Sequence, residues 1–378
     1  MRVIMTGGGT GGHVNPALAI ADAIRKNESG SEIIFVGTSH GIENKLVPRE
    51  GYTLHHVEIQ GIKRSLSPAN IKTLWLAATS VGKAKKLIKE FKPDVVVGTG
   101  GYVSWPVVRA AAEMKIPCAL HESNAVPGFA VKMLESSADR LYVNFEETKQ
   151  YLSHPERALR VGNPMRGELG SVGAEAARQK LGIEGRYRRF ILSFGGSMGA
   201  ERVNDEVLSM MADYGRAHPE TLFFHASGAI EYEAAKAKFA QLGLDKCENL
   251  QLVEYIYDMP LRLSAADVVI SRAGAMTLSE LALMRKPCIL IPSPNVTNNH
   301  QYKNAKVLSD GGAAVLLEEK ELGGGVLASA VDSIISDREK MRVMSENMEK
   351  FALSDAGQRI YDDIKQLVSE KAKNSASV

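Results

Sequence analysis

At 378 residues the chain is longer than one hydrophobic core usually serves, which predicts two domains. A formal net charge of only +2 implies no strong polyanion such as nucleic acid as an overall partner, although local basic patches stay open. The three cysteines, Cys118, Cys247 and Cys288, stand far apart with no CxxC pair, which argues against a disulfide framework or a zinc site and fits a reducing compartment.

The chain enters a strand at Val3–Met5 and reaches glycines at once, leaving no room for an apolar signal segment. No later apolar run approaches the ~20 residues that cross a bilayer, so a cytoplasmic protein without a membrane span is expected. Directly after the strand, TGGGTGGHVNPALAIADAI, Thr6 to Ile24, writes a glycine turn and a helix start in one line. Such a turn lets the backbone approach a ligand and points unpaired N–H groups at an anion. Pro16 suits a first helical turn, and Leu18, Ala21, Ala23 and Ile24 give the helix an apolar side. Gly7, Gly9 and Gly12 satisfy the dinucleotide pattern GxGxxG. The second strand, Ile33–Val36, ends however in Gly37-Thr38-Ser39, without the acid that holds ribose hydroxyls, and no Gly-Lys-Ser/Thr follows the turn. Dinucleotide and Walker sites are both disfavoured. His13 at the turn's exit is instead a titratable group beside an expected anion or sugar site, the ordinary alternative being a histidine packed at a helix start.

Further short apolar runs follow, Leu54–Ile59, Val95–Val97, Cys118–Leu120 and Leu141–Val143, alternating with helical patterns. A second set comprises Phe190–Phe194, Thr221–His225, Leu250–Val253, Val268–Ile270, Cys288–Ile291 and Ala313–Leu317. Continuous apolar strands between helices argue for parallel sheets covered on both faces. The expected fold is α/β, with two Rossmann-like, doubly wound parallel-sheet domains and ligand in a cleft between them. VGNPMRGEL, Val161 to Leu169, reads as the linker, and the small polar tail from about Lys371 as disordered.

Several strand ends carry polar chemistry. GTGGYVSWP, Gly98 to Pro106, is explained by close backbone approach at the sheet edge, either for a ligand or for tight chain packing, and alone decides little. HESNAVPG, His121 to Gly128, offers Asn124 as a donor and acceptor for a sugar. FILSFGGSMGAERVN repeats the strand, glycine turn and helix of the N-terminus, with Gly195-Gly196-Ser197 open to a phosphate. SRAGAMTLSELALM, Ser271 to Met284, places Glu280 in a helix after a strand, where a carboxylate can accept both hydroxyls of a ribose. A solvated surface residue is the commoner case. TNNHQYKNA, Thr297 to Ala305, adds amides, Gln301 among them. No metal-ligand cluster, Asp-x-Asp pair or nucleophile with an attached base is found, so no metal and no cofactor is expected. Charge on a leaving diphosphate falls to backbone dipoles and Arg or Lys.

The strings GGTGGHxxPALA, VGTGGYVSWP, HESN, VGNPMR, FGGSMGA, SRAGAMTLSE and HQYKNA, in that order from Arg2 to about Ala305, resemble the MurG family. That resemblance implies a two-lobed GT-B glycosyltransferase of peptidoglycan synthesis, peripheral on the cytoplasmic face of the cell membrane and acting in cell-wall biogenesis, cell shape and division. The reaction it implies is inverting and metal-independent. GlcNAc passes from UDP-GlcNAc to the 4-hydroxyl of MurNAc in undecaprenyl-diphosphate-linked muramyl-pentapeptide, lipid I becoming lipid II. It also implies an N-terminal acceptor and membrane-facing domain over 1–162 and a UDP-GlcNAc-binding domain over 163–345. A helical segment over 346–378 then returns to the N-terminal domain.

Carried over by position, the family's donor-site residues fall on Thr10, Gly11, Gly12, Asn124, Arg166 and Ser197. They continue with Ile256, whose backbone reads uracil, with Ala275, Met276, Thr277, Leu278, Ser279 and Glu280, and with Gln301. His13 matches the proposed general base. Met198 departs from the Gln or Arg of many relatives, and a thioether donates no hydrogen bond. Near residues 63–89, Ile71, Leu74, Trp75, Ala78 and Val81 recur at helical spacing beside Lys63, Arg64, Lys72, Lys83, Lys85, Lys86 and Lys89. The family resemblance favours reading this as a basic amphipathic membrane contact over an ordinary helix packed on the sheet. The nearest alternative function is another GT-B glycosyltransferase with a different lipid or small-molecule acceptor.

Overall fold

The computed structural model describes residues 1–59, 69–166 and 169–376, with only the backbone course given for 69–78 and 374–376. The chain divides into two compact units, Met1–Arg166 completed by the chain from Leu353, and Gly167–Ala352.

Seven strands build the first unit: β1 (Arg2–Thr6), β2 (Glu32–Gly37), β3 (Thr53–His56), β4 (Val95–Gly98), β5 (Cys118–Glu122), β6 (Arg140–Val143) and β7 (Ala158–Arg160). They lie in the order β3-β2-β1-β4-β5-β6-β7. Every pairing is parallel. The central strands are apolar on both faces: Val3, Ile4 and Met5 in β1 and Val95, Val96 and Val97 in β4 are wholly buried. One face of the sheet is covered by the helices Ala69–Phe91 and Ser104–Glu113, the other by Gly11–Asn27. The closing helix Ala356–Ala376 packs on Gly11–Asn27 and sets Ile360 and Ile364 in the same core as Val97. Tyr142 Oη donates to Asp363 Oδ2 at 2.8 Å and Lys371 pairs with Asp139 at 2.7 Å, tying that helix to β6 and its entry.

The second unit holds β8 (Arg189–Phe194), β9 (Thr221–Ala226), β10 (Leu250–Val253), β11 (Val268–Ser271), β12 (Cys288–Leu290) and β13 (Ala314–Leu316). Their order is β10-β9-β8-β11-β12-β13, again parallel throughout. Its core joins Ile191, Ile270 and Ile289 of the sheet to Val203 and Val207 of helix Glu201–Asp213 and to Leu327 and Val331 of helix Val326–Ile335.

Three details differ from the sequence reading. β7 is a three-residue strand with only Ala158 buried, too short and too mixed to show as an apolar run. Pro16 lies in the second turn, since the helix already starts at Gly11 after a short turn, and it leaves the Gly12 carbonyl without the usual i+4 N–H. The tail is helical to Ala376, five residues past 371, where order was expected to end.

Candidate functional site

In the first unit the loops after β1 and β4 meet at the carboxyl edge of the sheet, the edge from which the loop after β5 also leaves. β1 lies between β2 and β4, the point where strand order reverses and α/β sheets open a crevice. The glycines of the β4 loop serve loop-to-loop contact. Gly101 has φ +81°, and a Cβ there would stand 2.4 Å from the Gly8 carbonyl oxygen. Thr99 N–H donates to Thr6 O at 2.9 Å, and Thr99 Oγ1 donates to the His13 carbonyl at 2.7 Å. These bonds fix the first helical turn, which contains His13, against β4.

His13 Nδ1 lies 3.0 Å from the Gly8 carbonyl and 3.3 Å from Thr10 Oγ1. A carbonyl only accepts, so Nδ1 carries the proton, and in the neutral ring Nε2 is left as an acceptor. Nε2 has no partner among the described residues, and the ring is half-buried. Thr10 and Gly12 are exposed at the helix start, which has no acidic residue in its first turn.

The acid missing from the end of β2 is found six residues further on. Glu43 is completely buried under the glycine turn. It accepts from Gly9 N at 2.9 Å, from Thr38 N at 2.9 Å and from Thr38 Oγ1 at 2.8 Å. Burial pushes its pKa up, but the hydrogen bonds from Gly9 and Thr38 outweigh it and the carboxyl is held below its ordinary value. Glu43 therefore shapes the loop from beneath. Sequence reasoning overlooked it; its signal was an acid opening the helix that follows Gly37-Thr38-Ser39.

Glu122, at the end of β5, plays a similar part. It accepts from Asn124 N at 2.9 Å, Asn124 Nδ2 at 3.0 Å and Gly128 N at 2.7 Å, so the HESN turn is folded around a carboxylate. Arg166 closes the first unit with its guanidinium on Asp22 at 2.9 Å and Glu50 at 2.5 Å. Its hydrogen bond to Glu50 raises its pKa and lowers that of Glu50. Its positive charge is thus matched by two carboxylates of its own unit.

In the second unit the expected donor residues follow the carboxyl ends of β8, β10, β11 and β12. The turn after β8 exposes Ser197 and Met198, the latter 64% accessible. A Cβ on Gly199, at φ +93°, would stand 2.3 Å from the Ser227 carbonyl, so this turn and the one after β9 touch backbone to backbone. Ala229 N–H donates to Ser197 O at 3.1 Å and Ile230 N–H to Met198 O at 3.3 Å. Beneath them runs a buried chain. Ser193 Oγ lies 2.9 Å from His225 Nδ1, His225 Nε2 donates to Asn204 Oδ1 at 3.0 Å, and Asn204 Nδ2 donates to Ser227 O at 3.0 Å. Burial pushes the His225 pKa down to about 4, keeping the ring neutral.

After β10, the Ile256 side chain is buried while Tyr255 and Tyr257 face outward. Neither the N–H nor the C=O of Ile256 has a partner among the described residues. After β11, Gly274 caps the helix Ala275–Leu283, whose first turn again contains no acid. Ala275, Leu278 and Ser279 are buried; Met276, Thr277 and Glu280 are partly exposed. The Glu280 carboxylate has neither hydrogen-bond nor ion-pair partner among the described residues, and burial pushes its pKa up to about 7. Arg272, also overlooked in the sequence, braces the neighbouring loop through Glu319 at 2.5 Å and the carbonyls of Ile291 and Pro292. Gln301 Oε1 accepts from Ser293 N at 2.9 Å, which leaves its NH2 as a donor with no partner among the described residues. Among the described residues no three His, Cys, Asp or Glu side chains could share a metal ion.

Each unit is a parallel α/β sheet with glycine turns at its carboxyl edge; the first adds an accepting imidazole nitrogen at His13 and the second a desolvated carboxylate at Glu280. Together with the structural likeness below, this is the GT-B glycosyltransferase fold. The N-terminal domain of glycosyltransferase family 28 matches residues 3–143 and its C-terminal domain residues 190–360, and the chain belongs to that family. Among curated relatives, the UDP-N-acetylglucosamine–N-acetylmuramyl-(pentapeptide) pyrophosphoryl-undecaprenol N-acetylglucosamine transferase of Acetivibrio thermocellus is 40% identical, over 98% of this chain and 100% of its own. The enzyme of the same name from Lactococcus lactis is 40% identical over 97% and 99%. The crystal structure of Acinetobacter baumannii MurG superposes with a TM-score of 0.77 at 29% identity, covering 97% of this chain and 99% of that one. UDP-GlcNAc 2-epimerase from Neisseria meningitidis, TM-score 0.67 at 14% identity, shares the fold alone, over 97% and 100% of the two chains.

Proposed function

We propose that this glycosyltransferase moves GlcNAc from UDP-GlcNAc to the 4-hydroxyl of MurNAc in undecaprenyl-diphosphate-linked muramyl-pentapeptide, forming lipid II from lipid I. The observation that carries the reading is the 40% identity, end to end, to transferases named for that donor and acceptor. Site geometry in the second unit supports it at several positions. Ser197 and the glycine turn after β8 receive the diphosphate, helped by the helix that starts at Ala275. Glu280, lacking a partner of its own, accepts the ribose hydroxyls, and the unpartnered NH2 of Gln301 reads a sugar hydroxyl. The free backbone N–H and C=O of Ile256 match the acceptor and donor edge of uracil.

His13 acts as general base in this mechanism. The acceptor oxygen attacks C1 of GlcNAc, the bond from C1 to the β-phosphate oxygen breaks, and the hydroxyl proton passes to His13 Nε2, inverting the anomeric centre. Thr10, Gly11, Gly12 and Asn124 are assigned to the same reacting end. Arg166 is engaged by Asp22 and Glu50, so a donor role would require exchange of those partners. The direct test uses purified protein, labelled UDP-GlcNAc, a lipid I analogue and chelator. Label in the lipid product is expected. Transfer only to exchanged acceptors would identify a different GT-B glycosyltransferase.

A lipid-linked acceptor calls for a surface that meets a bilayer, and no described helix is long and apolar enough to cross one. We assign peripheral contact on the cytoplasmic face to the basic stretch near 63–89. Lys63 and Arg64 lie outside the described residues, as do the side chains of Ile71, Lys72, Leu74, Trp75 and Ala78. In the described part, Ala84 and Ile88 are buried and Val81 packs against the same core, while Lys83 and Lys89 are exposed and Lys85 pairs with Glu113 at 2.7 Å. The solvated lysine face is the support. The double variant Lys83→Glu/Lys89→Glu is expected to sediment less with anionic vesicles at low salt; unchanged sedimentation would place the contact elsewhere.

A further inference from the structure

Among the large apolar side chains of the described protein, Tyr257 is the most exposed, at 90%, and it is exposed beside the backbone assigned above to a nucleobase. The segment alternates: Tyr255 outward at 47% accessible, Ile256 inward at 4%, Tyr257 outward again. The two rings meet edge to face, with centroids 5.1 Å apart and planes at 66°. Just after Tyr257 the chain is pinned, Arg262 Nε donating to Asp258 Oδ1 at 2.8 Å while the Arg262 guanidinium lies 3.7 Å over the Phe224 ring. Tyr257 is thus held out of the core by a fixed turn, and a tyrosine has only two side-chain torsions to immobilise when it meets a ligand.

Between the two tyrosines, the backbone of Ile256 presents its N–H and its C=O, neither with a partner among the described residues. A planar group that docks its edge on this pair lies roughly in the plane of the backbone and shows a π-face to the side chains above it. Strand spacing sets the scale: β10 is two strands from the β8 turn, about 10 Å, and three from β11, about 14 Å. That is the reach from a nucleobase to its diphosphate. We propose that Tyr257 is a stacking and specificity-determining residue for the donor, covering the face of the base whose edge is read by Ile256, with Tyr255 bracing it. The inference rests on the donor reading of the second unit.

The test is UDP binding by calorimetry to the intact protein and to Tyr257→Phe and Tyr257→Ala, repeated with 5,6-dihydro-UDP. The dihydro base keeps the same hydrogen-bonding edge but loses its planar π-face. Wild type is expected to bind UDP about ten-fold more tightly than dihydro-UDP, as stacking on an aromatic side chain allows. Tyr257→Phe should keep that ratio and Tyr257→Ala should bring it close to one, raising KM for UDP-GlcNAc while kcat holds. A purely structural tyrosine would weaken both ligands alike. If wild type binds UDP and the ratio survives in Tyr257→Ala, the stacking role is overturned while the donor reading stands. Failure of wild type to bind UDP at all overturns the donor reading, and the stacking role with it.

Discussion

Glu280→Gln puts the donor-site reading and its energetic cost into one measurement. The carboxyl lies on the helix Ala275–Leu283 without a partner among the described residues, and burial pushes its pKa from 4.5 up to about 7. A group whose pKa rises on folding contributes stability that is complete below its unfolded value and is lost as pH rises through the folded one. From 4.5 to about 7, at 1.36 kcal/mol per pH unit, the ceiling on that loss is about 3 kcal/mol. Partial exposure of the side chain screens the charge and brings the realised value to about 1–2 kcal/mol. Glutamine has the same shape and no charge to desolvate. Glu280→Gln should therefore melt within about 1 °C of wild type at pH 5 and about 3–6 °C higher at pH 8, for a unit of this size. UDP binding at pH 8 should weaken in the same variant, because a neutral amide accepts ribose hydroxyls less well than a carboxylate. The assay is a melting curve at each pH with and without UDP. An equal gain in melting temperature at both pH values would refute the ionisation argument, and unimpaired UDP affinity would refute the ribose assignment.

His13→Ala should lower kcat by about 10²–10⁴-fold while UDP affinity stays within about two-fold; a loss confined to donor affinity would make His13 a binding residue. Gly101→Ala places a Cβ against the Gly8 carbonyl at positive φ, so the β1 and β4 loops must separate. Its expected signature is strongly reduced transfer and destabilisation of about 1–3 kcal/mol, whereas Gly30→Ala, with open space around its Cα, should change stability far less. Ile364→Ala and Val97→Ala both open the first unit's core, at about 2–5 kcal/mol and about 1–3 kcal/mol. Both should shift the same urea transition; if Ile364→Ala moved instead with Val207→Ala of the second core, the helix Ala356–Ala376 would be misassigned.

Much of this fold was legible because parallel strands buried on both faces read as unbroken apolar runs. Val95-Val96-Val97 and Phe190-Ile191-Leu192 announce themselves without a partner strand in view. β7 does not, since an edge strand of three residues with one buried side chain leaves no pattern. The turns at Gly7–Thr10 and Gly195–Gly199 were visible as glycine-rich breaks between strand and helix. Their supports were not. Glu43 reaches Gly9 across 34 residues, and Asn204 reaches Ser227 across 23. Neither spacing is a motif, because each contact is made by the sheet bringing loops together rather than by the local chain. Arg166 shows the opposite case. Its string pointed to the donor, but side-chain geometry adds that its charge is already shared with Asp22 and Glu50.

The chain from Leu353 belongs to the first unit although the whole of the second intervenes. On a ribosome this imposes an order. The first sheet and most of its helices emerge early, yet the groove beside helix Gly11–Asn27 that later receives Ile360 and Ile364 stays open until the second unit has been synthesised. At typical elongation speeds that interval is about 10–40 s, during which an apolar strip on a nascent enzyme faces the cell's chaperones. Only when its final helix leaves the tunnel does the N-terminal unit close its core, so the unit that begins first is completed last.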